Sequence, residues 1–190
     1  DLTFEHAVKL GRFLGWYYGA RLGRKAKVVI GKDTRRSSYM FESALCTGLV
    51  ASGADAYIMH VTTTPSVAYI TRVDDFDCGI MISASHNPFY DNGIKLLNSN
   101  GEKMDEETIL KVEDYIDGKI DVPMAERAAI GRTVDYVAGR NRYIGYLISL
   151  SKFSFKNVKV GLDVADGASW QIAKAVFDAL GAKVYVIHNQ

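Results

Sequence analysis

The chain has 190 residues, 48% of them hydrophobic and 24% charged; Lys plus Arg number 23 against 22 for Asp plus Glu, a formal net charge of +1. These values fit one globular domain, or one and a piece, exclude a disordered chain, and give no electrostatic case for nucleic acid or an anionic membrane surface. No apolar run approaches the roughly 18 residues of a spanning helix, and Asp1-Leu2-Thr3-Phe4-Glu5-His6 has neither a basic nor an apolar leader region, so a soluble, cytoplasmic protein is expected.

Residues 4–18 read as a helix, with Phe4, Ala7, Leu10, Phe13, Leu14 and Tyr17 at three- and four-residue steps and Thr3 as N-cap. Lys27-Val28-Val29-Ile30 is a short buried strand, followed by a polar loop from Lys32 to Ser37. Met40, Phe41, Ala44, Leu45, Leu49 and Val50 mark a second helix that stops at Gly53. Residues 56–59 form the next strand, and Pro65 opens a helix through about Arg72. Residues 78–82 and 94–97 are strands, Asn98-Ser99-Asn100-Gly101 is a turn, and 105–117 is a helix with acidic residues in its first turn. The alternation predicts an α/β layered domain with a mixed, mostly parallel sheet covered on both faces. In such sheets the chemistry lies beyond the carboxyl ends of the strands, which directs attention to the loops after Ile30 and Ile82. Asp74-Asp75-Phe76-Asp77 reads as a solvated acidic turn. Cys46 and Cys78, each in an apolar run, read as small buried hydrophobes.

Gly53–His60 echoes Gly181–His188, each following a strand that ends near an Asp (Asp33, Asp163) and then an apolar helix. A polar segment over 118–133 and a helix over 135–150 separate the copies. We expect one domain over residues 1–152 and the beginning of a second, similar one over 153–190. A lone strand, helix and strand cannot bury both faces of a sheet, so the chain reads as cut rather than complete.

The segment richest in chemistry is Ile82-Ser83-Ala84-Ser85-His86-Asn87-Pro88-Phe89-Tyr90-Asp91-Asn92-Gly93-Ile94-Lys95. Small residues precede Ser85, His86 and Lys95 bring donors, and Arg35 and Arg36 come from the neighbouring loop. A hydroxyl among such cations suits a dianionic phosphoryl group. Composition leaves a second reading open, a turn that only joins two strands. A Ser–His hydrolase fails on spacing, because no Gly-x-Ser-x-Gly elbow is present. Neither Gly-x-x-x-x-Gly-Lys-Ser/Thr nor Gly-x-Gly-x-x-Gly occurs, so those nucleotide loops are unsupported.

Ser83-Ala84-Ser85-His86-Asn87-Pro88 with Asp91-Asn92-Gly93-Ile94-Lys95 resembles the phosphoserine loop of the α-D-phosphohexomutase superfamily, most closely its bacterial phosphoglucosamine mutase branch. Gly31–Ser37, Thr64–Tyr69 and Gly139–Ile144 agree, and similarity runs from about Leu2 to Gln190. The resemblance implies an enzyme interconverting glucosamine 6-phosphate and glucosamine 1-phosphate through a bisphosphate; a phosphomannomutase or phosphoglucomutase is its nearest rival. A non-catalytic α/β module is the alternative from another class. It further implies that Ser85 carries the phosphoryl group and, through it, ligates Mg²⁺. His86, Lys95 and Arg35 would surround the transferring group: Lys95 would move the sugar hydroxyl's proton, and Arg35 would neutralise developing charge. Ser83 would be a decoy, and His6, His60 and His188 ordinary surface or strand-end residues. The expected partners are a phosphorylated hexosamine or hexose and the bisphosphate, with no nucleic acid or membrane; a homodimer is compatible with the resemblance. The sequence departs from the family in having Ser at position 38, in beginning at the helix after the family's first strand, and in lacking the family's Asp-Gly-Asp-x-Asp loop. The remaining Mg²⁺ ligands are therefore expected beyond Gln190, and the chain by itself is expected to be inactive.

Overall fold

A computed structural model describes residues 2–189. The first helix, α1 (Phe4–Leu22), begins with a reciprocal cap: the Thr3 hydroxyl accepts from the His6 N–H and His6 Nδ1 accepts from the Thr3 N–H, both at 3.3 Å. It outruns the expected end at residue 18, stopping only where Gly23 turns left-handed at φ 63°. Arg21, one turn past Tyr17, lies over the Tyr17 ring 5.0 Å from its centroid, which gives the polar last turn something to pack on.

Strands β1 (Lys27–Lys32), β2 (Asp55–Val61), β3 (Cys78–Ile82), β4 (Ile94–Leu97) and β5 (Thr133–Asp135) form one sheet in the order β4-β3-β1-β2-β5. All neighbours pair in parallel except β4, which runs antiparallel to β3. The helices connecting them are α2 (Arg36–Ala51), α3 (Thr64–Val73) and α4 (Glu106–Ile116), and α5 (Val137–Ser149) follows β5. One face of the sheet is buried by α1, α2 and α4, through residues such as Phe13, Leu14, Leu45 and Val112 around Val28, Ile30 and Ile80. The other is covered by α3 and Tyr136, packed on Val29, Met59 and Met81. The mixed, mostly parallel layered fold is thus as expected.

β5 was not anticipated: it lies at the end of a polar stretch and has three residues, too few for a periodic signal. It is fixed from both ends, by the Ala56 N–H donating to the Arg132 carbonyl at 2.9 Å and the Tyr136 N–H to the Ile58 carbonyl at 2.8 Å.

Two readings of charged residues are corrected. Lys32 is the last residue of β1 and not part of a polar loop; it is 2% exposed, pairs with Glu42 and stands 3.9 Å from the centroid of the Tyr39 ring. The parity of β1 aims it at α2, where an opposite charge and an aromatic face compensate its desolvation. The acidic turn is only partly solvated. The Asp74 side chain, 5% exposed, accepts from Arg142 and, at 2.7 Å, from the Tyr136 hydroxyl. Asp77, also buried, receives a two-pronged Arg24 contact at 2.6 and 2.8 Å and the Lys27 N–H at 2.8 Å. These carboxylates join segments distant in sequence.

The two cysteines are free and buried; burial raises both thiols, Cys46 to about 12, consistent with an inert role. The echo of β1-α2-β2 materialises as β6 (Lys159–Asp163), α6 (Trp170–Ala179) and β7 (Lys183–Ile187), a separate two-stranded parallel sheet with its helix. α6 packs on α5. Among the described residues no helix is long and apolar enough to cross a membrane.

Where α1 crosses α2, their backbones nearly touch. A Cβ on Gly48 would stand 2.1 Å from the Val8 carbonyl oxygen, and one on Gly11 2.5 Å from that of Leu45. Gly48→Ala is therefore expected to destabilise the fold by about 2–3 kcal/mol through forced separation of the helices. Gly145→Ala, in the interior of α5 with no atom within 4 Å of the added Cβ, should stabilise by about 0.5–1 kcal/mol. Urea or thermal unfolding of the two variants beside the parent chain checks both signs.

Candidate active site

β1 and β3 are neighbours in register, Gly31 opposite Met81 and Lys32 opposite Ile82. The loops leaving their carboxyl ends therefore emerge side by side. The loop after β3 returns directly into β4, and its mouth is tied by the Ser83 N–H donating to the Gly93 carbonyl at 2.9 Å. Inside it, the Asn87 N–H donates to the Ala84 carbonyl at 3.1 Å and the Asp91 N–H to the Pro88 carbonyl at 3.0 Å, giving two successive turns. Ser83 is buried, and its hydroxyl accepts from the Ser85 N–H at 3.0 Å. Ser85 is exposed and held at φ 59°, a left-handed backbone costing a non-glycine residue about 1–3 kcal/mol. The two serines thus differ in kind: Ser83 is part of the loop's internal bonding, and Ser85 is presented outward.

Arg35 reaches across from the neighbouring loop. Its Nε–H donates to Asp33 Oδ2 at 2.8 Å. Nη2 donates to the carbonyls of Ser85 and Asn87, each at 2.9 Å, and Nη1 to those of Asp91, at 3.2 Å, and Pro88. Asp33 is equally committed, its Oδ1 accepting from the Arg35 N–H at 3.1 Å and the Ser38 hydroxyl at 2.7 Å. Thr34, between them, points the other way and donates from Oγ1 to the Asp166 carbonyl at 2.9 Å, beyond β6.

The result is a cleft of about 650 Å³, lined by Arg35, Arg36, Ser85 and Phe89 on one side and by Ala165–Ser169 on the other. Thr63, Thr64 and Pro65 complete it. Three helices start at its walls: α2 after Arg35, α3 after Thr63 and α6 after Ser169. None of these N-cap residues makes a side-chain capping bond. The positive ends of the helix dipoles, with Arg36, give the cleft a positive lining that suits an anion.

Of the four residues expected at the site, the structure brings Ser85 and Arg35 together on this cleft. His86 follows Ser85 in the chain and is exposed. Lys95, half-buried in β4, does not line the cleft and borders a separate groove between α1, β4 and α4. Neither His86 nor Lys95 has a side-chain partner among the described residues. Sequence reasoning passed over Thr34, Thr63 and the loop after β6. The available signal was positional: each sits at the carboxyl end of a parallel strand, and Thr63-Thr64-Pro65 is a helix-start pattern. Of the histidines set aside, His6 caps α1, His60 is 3.4 Å from Asp135, and His188 meets Asp163 at 2.9 Å. That contact raises His188 above its ordinary value, because Asp163 favours its charged form.

Comparison with known proteins fits this geometry. The sequence pattern described as phosphoglucomutase/phosphomannomutase, alpha/beta/alpha domain I, matches residues 1–121. The chain belongs to the phosphoglucomutase/phosphomannomutase family. Among curated relatives, it is 67% identical over 189 residues to a phosphoglucosamine mutase of Lachnospira eligens, covering 98% of this chain and 42% of the relative. It is 46% identical to one of Clostridioides difficile, covering 100% of this chain and again 42% of the relative. A solved phosphoglucomutase/phosphomannomutase family protein from Burkholderia thailandensis superposes with a TM-score of 0.80 at 22% identity, over 100% of this chain and 41% of that one, a likeness of fold. The chain therefore spans about two fifths of the length of these relatives.

The Mg²⁺ that the resemblance implied does not find a set of ligands among the described residues. Among the described residues there is no group of three or more His, Cys, Asp or Glu side chains placed to hold a metal ion. Asp33, the carboxylate at the cleft, is occupied by Arg35 and Ser38. Ser85, even phosphorylated, brings oxygens from one group where Mg²⁺ takes near-octahedral oxygen ligation. Calorimetric titration of the 190-residue chain with Mg²⁺ is expected to show no site of micromolar affinity; a stoichiometric micromolar site would contradict this reading of the cleft.

Proposed function

We propose that this chain is part of a phosphoglucosamine mutase, which interconverts glucosamine 6-phosphate and glucosamine 1-phosphate. The observation that carries the reading is the 67% identity to a protein of that name, in a chain that presents Ser85, outward and left-handed, on the cleft. The convergent helix starts support it, because a phosphoryl group is a compact dianion and their dipoles present positive ends to the cleft.

In this mechanism Ser85 carries a phosphoryl group. A free sugar hydroxyl attacks the phosphorus in line; the bond from phosphorus to Ser85 Oγ breaks as the bond to the sugar oxygen forms, giving a bisphosphate. The hydroxyl's proton passes through a base to Ser85 Oγ, and the bisphosphate reorients. The Ser85 hydroxyl then attacks the other phosphoryl group and gives up its proton to the sugar oxygen released. Because the transition state is loose, positioning and charge stabilisation carry most of the acceleration. His86 and Lys95 are the two proposed groups with no partner among the described residues to lose before handling the proton. Lys95 needs its long side chain to swing from the edge of β4 toward the loop.

The same reading divides the chain at about residue 152, with 153–190 opening a second α/β domain around β6 and β7. It makes a phosphorylated amino sugar the substrate, and the cytoplasm, where such sugars are made, the expected compartment.

The test uses the full-length protein containing this chain. Peptide mapping should find phosphate on Ser85. Ser85→Ala should lose that mass and reduce turnover by about 10⁴-fold or more. Phosphate confined to Ser83, or full activity in the Ala variant, sinks the mechanism. Glucosamine phosphate should be turned over faster than glucose or mannose phosphate; the reverse order would move the protein to another branch of the family.

A further inference from the structure

The resemblance gave Arg35 to the transferring phosphoryl group. Its hydrogen bonds say otherwise. A guanidinium has five N–H donors and no more. Here Nε–H is held by Asp33, two N–H groups by the carbonyls of Ser85 and Asn87, and two by those of Pro88 and Asp91. Every donor points at the protein, and the side chain is only 9% exposed. Four carbonyls from a seven-residue span converge on one cation, and no helix or sheet ladder serves those carbonyls. A loop that folds its acceptors inward in this way needs a planar, multiply donating cation at its centre. Lysine, a point charge with three donors, cannot take that place.

We infer that Arg35 is a positioning residue: its guanidinium is the internal template of the loop 85–91, holds Ser85 left-handed at the cleft, and gives no donor to the substrate. Asp33 completes the device. Its carboxylate orients Nε and the Arg35 N–H, so the fork is aimed before the loop closes on it. The consequence for rate rests on the proposed mutase reading; the consequence for the loop does not.

The experiment compares Arg35→Lys and Arg35→Met in the full-length protein. A cation that neutralises charge on the phosphoryl group would be partly replaced by Lys and not by Met. A five-donor template is lost in both. Backbone amide exchange at Ser85, Asn87 and Asp91, whose N–H groups are bonded within the loop, should accelerate about 10- to 100-fold in both variants, equivalent to one charge-assisted hydrogen bond lost. Exchange in β1 and β3 should stay unchanged, which also shows that the variants are folded. Phosphorylation of Ser85 by a sugar bisphosphate and kcat should fall alike in both, with KM for the phosphosugar within about threefold of the parent. Unaltered loop exchange, or activity kept by Lys with KM raised by Met, would overturn the inference and return Arg35 to the substrate. If the parent protein takes no phosphate on Ser85 while the exchange result holds, the mutase reading falls and the template stands.

Discussion

The guanidinium of Arg35 is consumed by its own protein, and most of the cleft follows from where that can happen. It requires the loops after β1 and β3 to emerge at the same level, which the parallel register of Lys32 with Ile82 provides. It also requires the start of α2 to stand beside the β3–β4 loop, and that start is Arg36, the next residue in the chain. Beneath it, Lys32 and Glu42 tie the end of β1 to the first turns of α2 inside the core. Such a buried pair adds little net stability; its usefulness lies in the geometry it permits, because removing either partner strands a charge. Ser85 is thus placed by a sequence of constraints that begins in the sheet.

The strand and helix alternation was legible because buried parallel strands are apolar runs and their helices amphipathic. The echo of residues 53–60 in 181–188 correctly announced a second strand–helix–strand unit. The serine loop was legible by its turn formers and its neighbours in sequence. What escaped was set by contacts between residues far apart along the chain. The burial of Asp77 depends on Arg24, that of Asp74 on Arg142, and nothing near either aspartate signals it. Lys32 reads as loop because it is charged, and only the parity of β1 and a glutamate ten residues on explain its burial. Arg35 reads as a phosphate ligand by charge and loop position; its five acceptors are mostly main-chain carbonyls, which no residue type advertises.

The electrostatics of the cleft were equally hidden from composition. A net charge of +1 over 190 residues gives no field to attract an anion. Much of the positive lining comes instead from the dipoles at the starts of α2, α3 and α6, fixed partial charges that add nothing to a residue count. A lining of this kind does not titrate. It persists at any pH that leaves the fold intact, which suits a group whose own charge changes between monoanion and dianion near neutrality.

Asp33, Thr34 and Arg35 are consecutive, yet the middle one faces the opposite wall. Arg35 grips the serine loop through four charge-assisted bonds, and Thr34 donates to the Asp166 carbonyl through a neutral bond at an exposed position. A neutral bond of that sort is worth about 0.5–1.5 kcal/mol, within a few multiples of thermal energy. The cleft therefore has a built-in parting line. Anything that widens it strains the bond at Thr34 before it disturbs the four-carbonyl grip on the serine loop. Ser85 is by these bonds a fixed fitting of the five-stranded unit, whatever the width of the cleft.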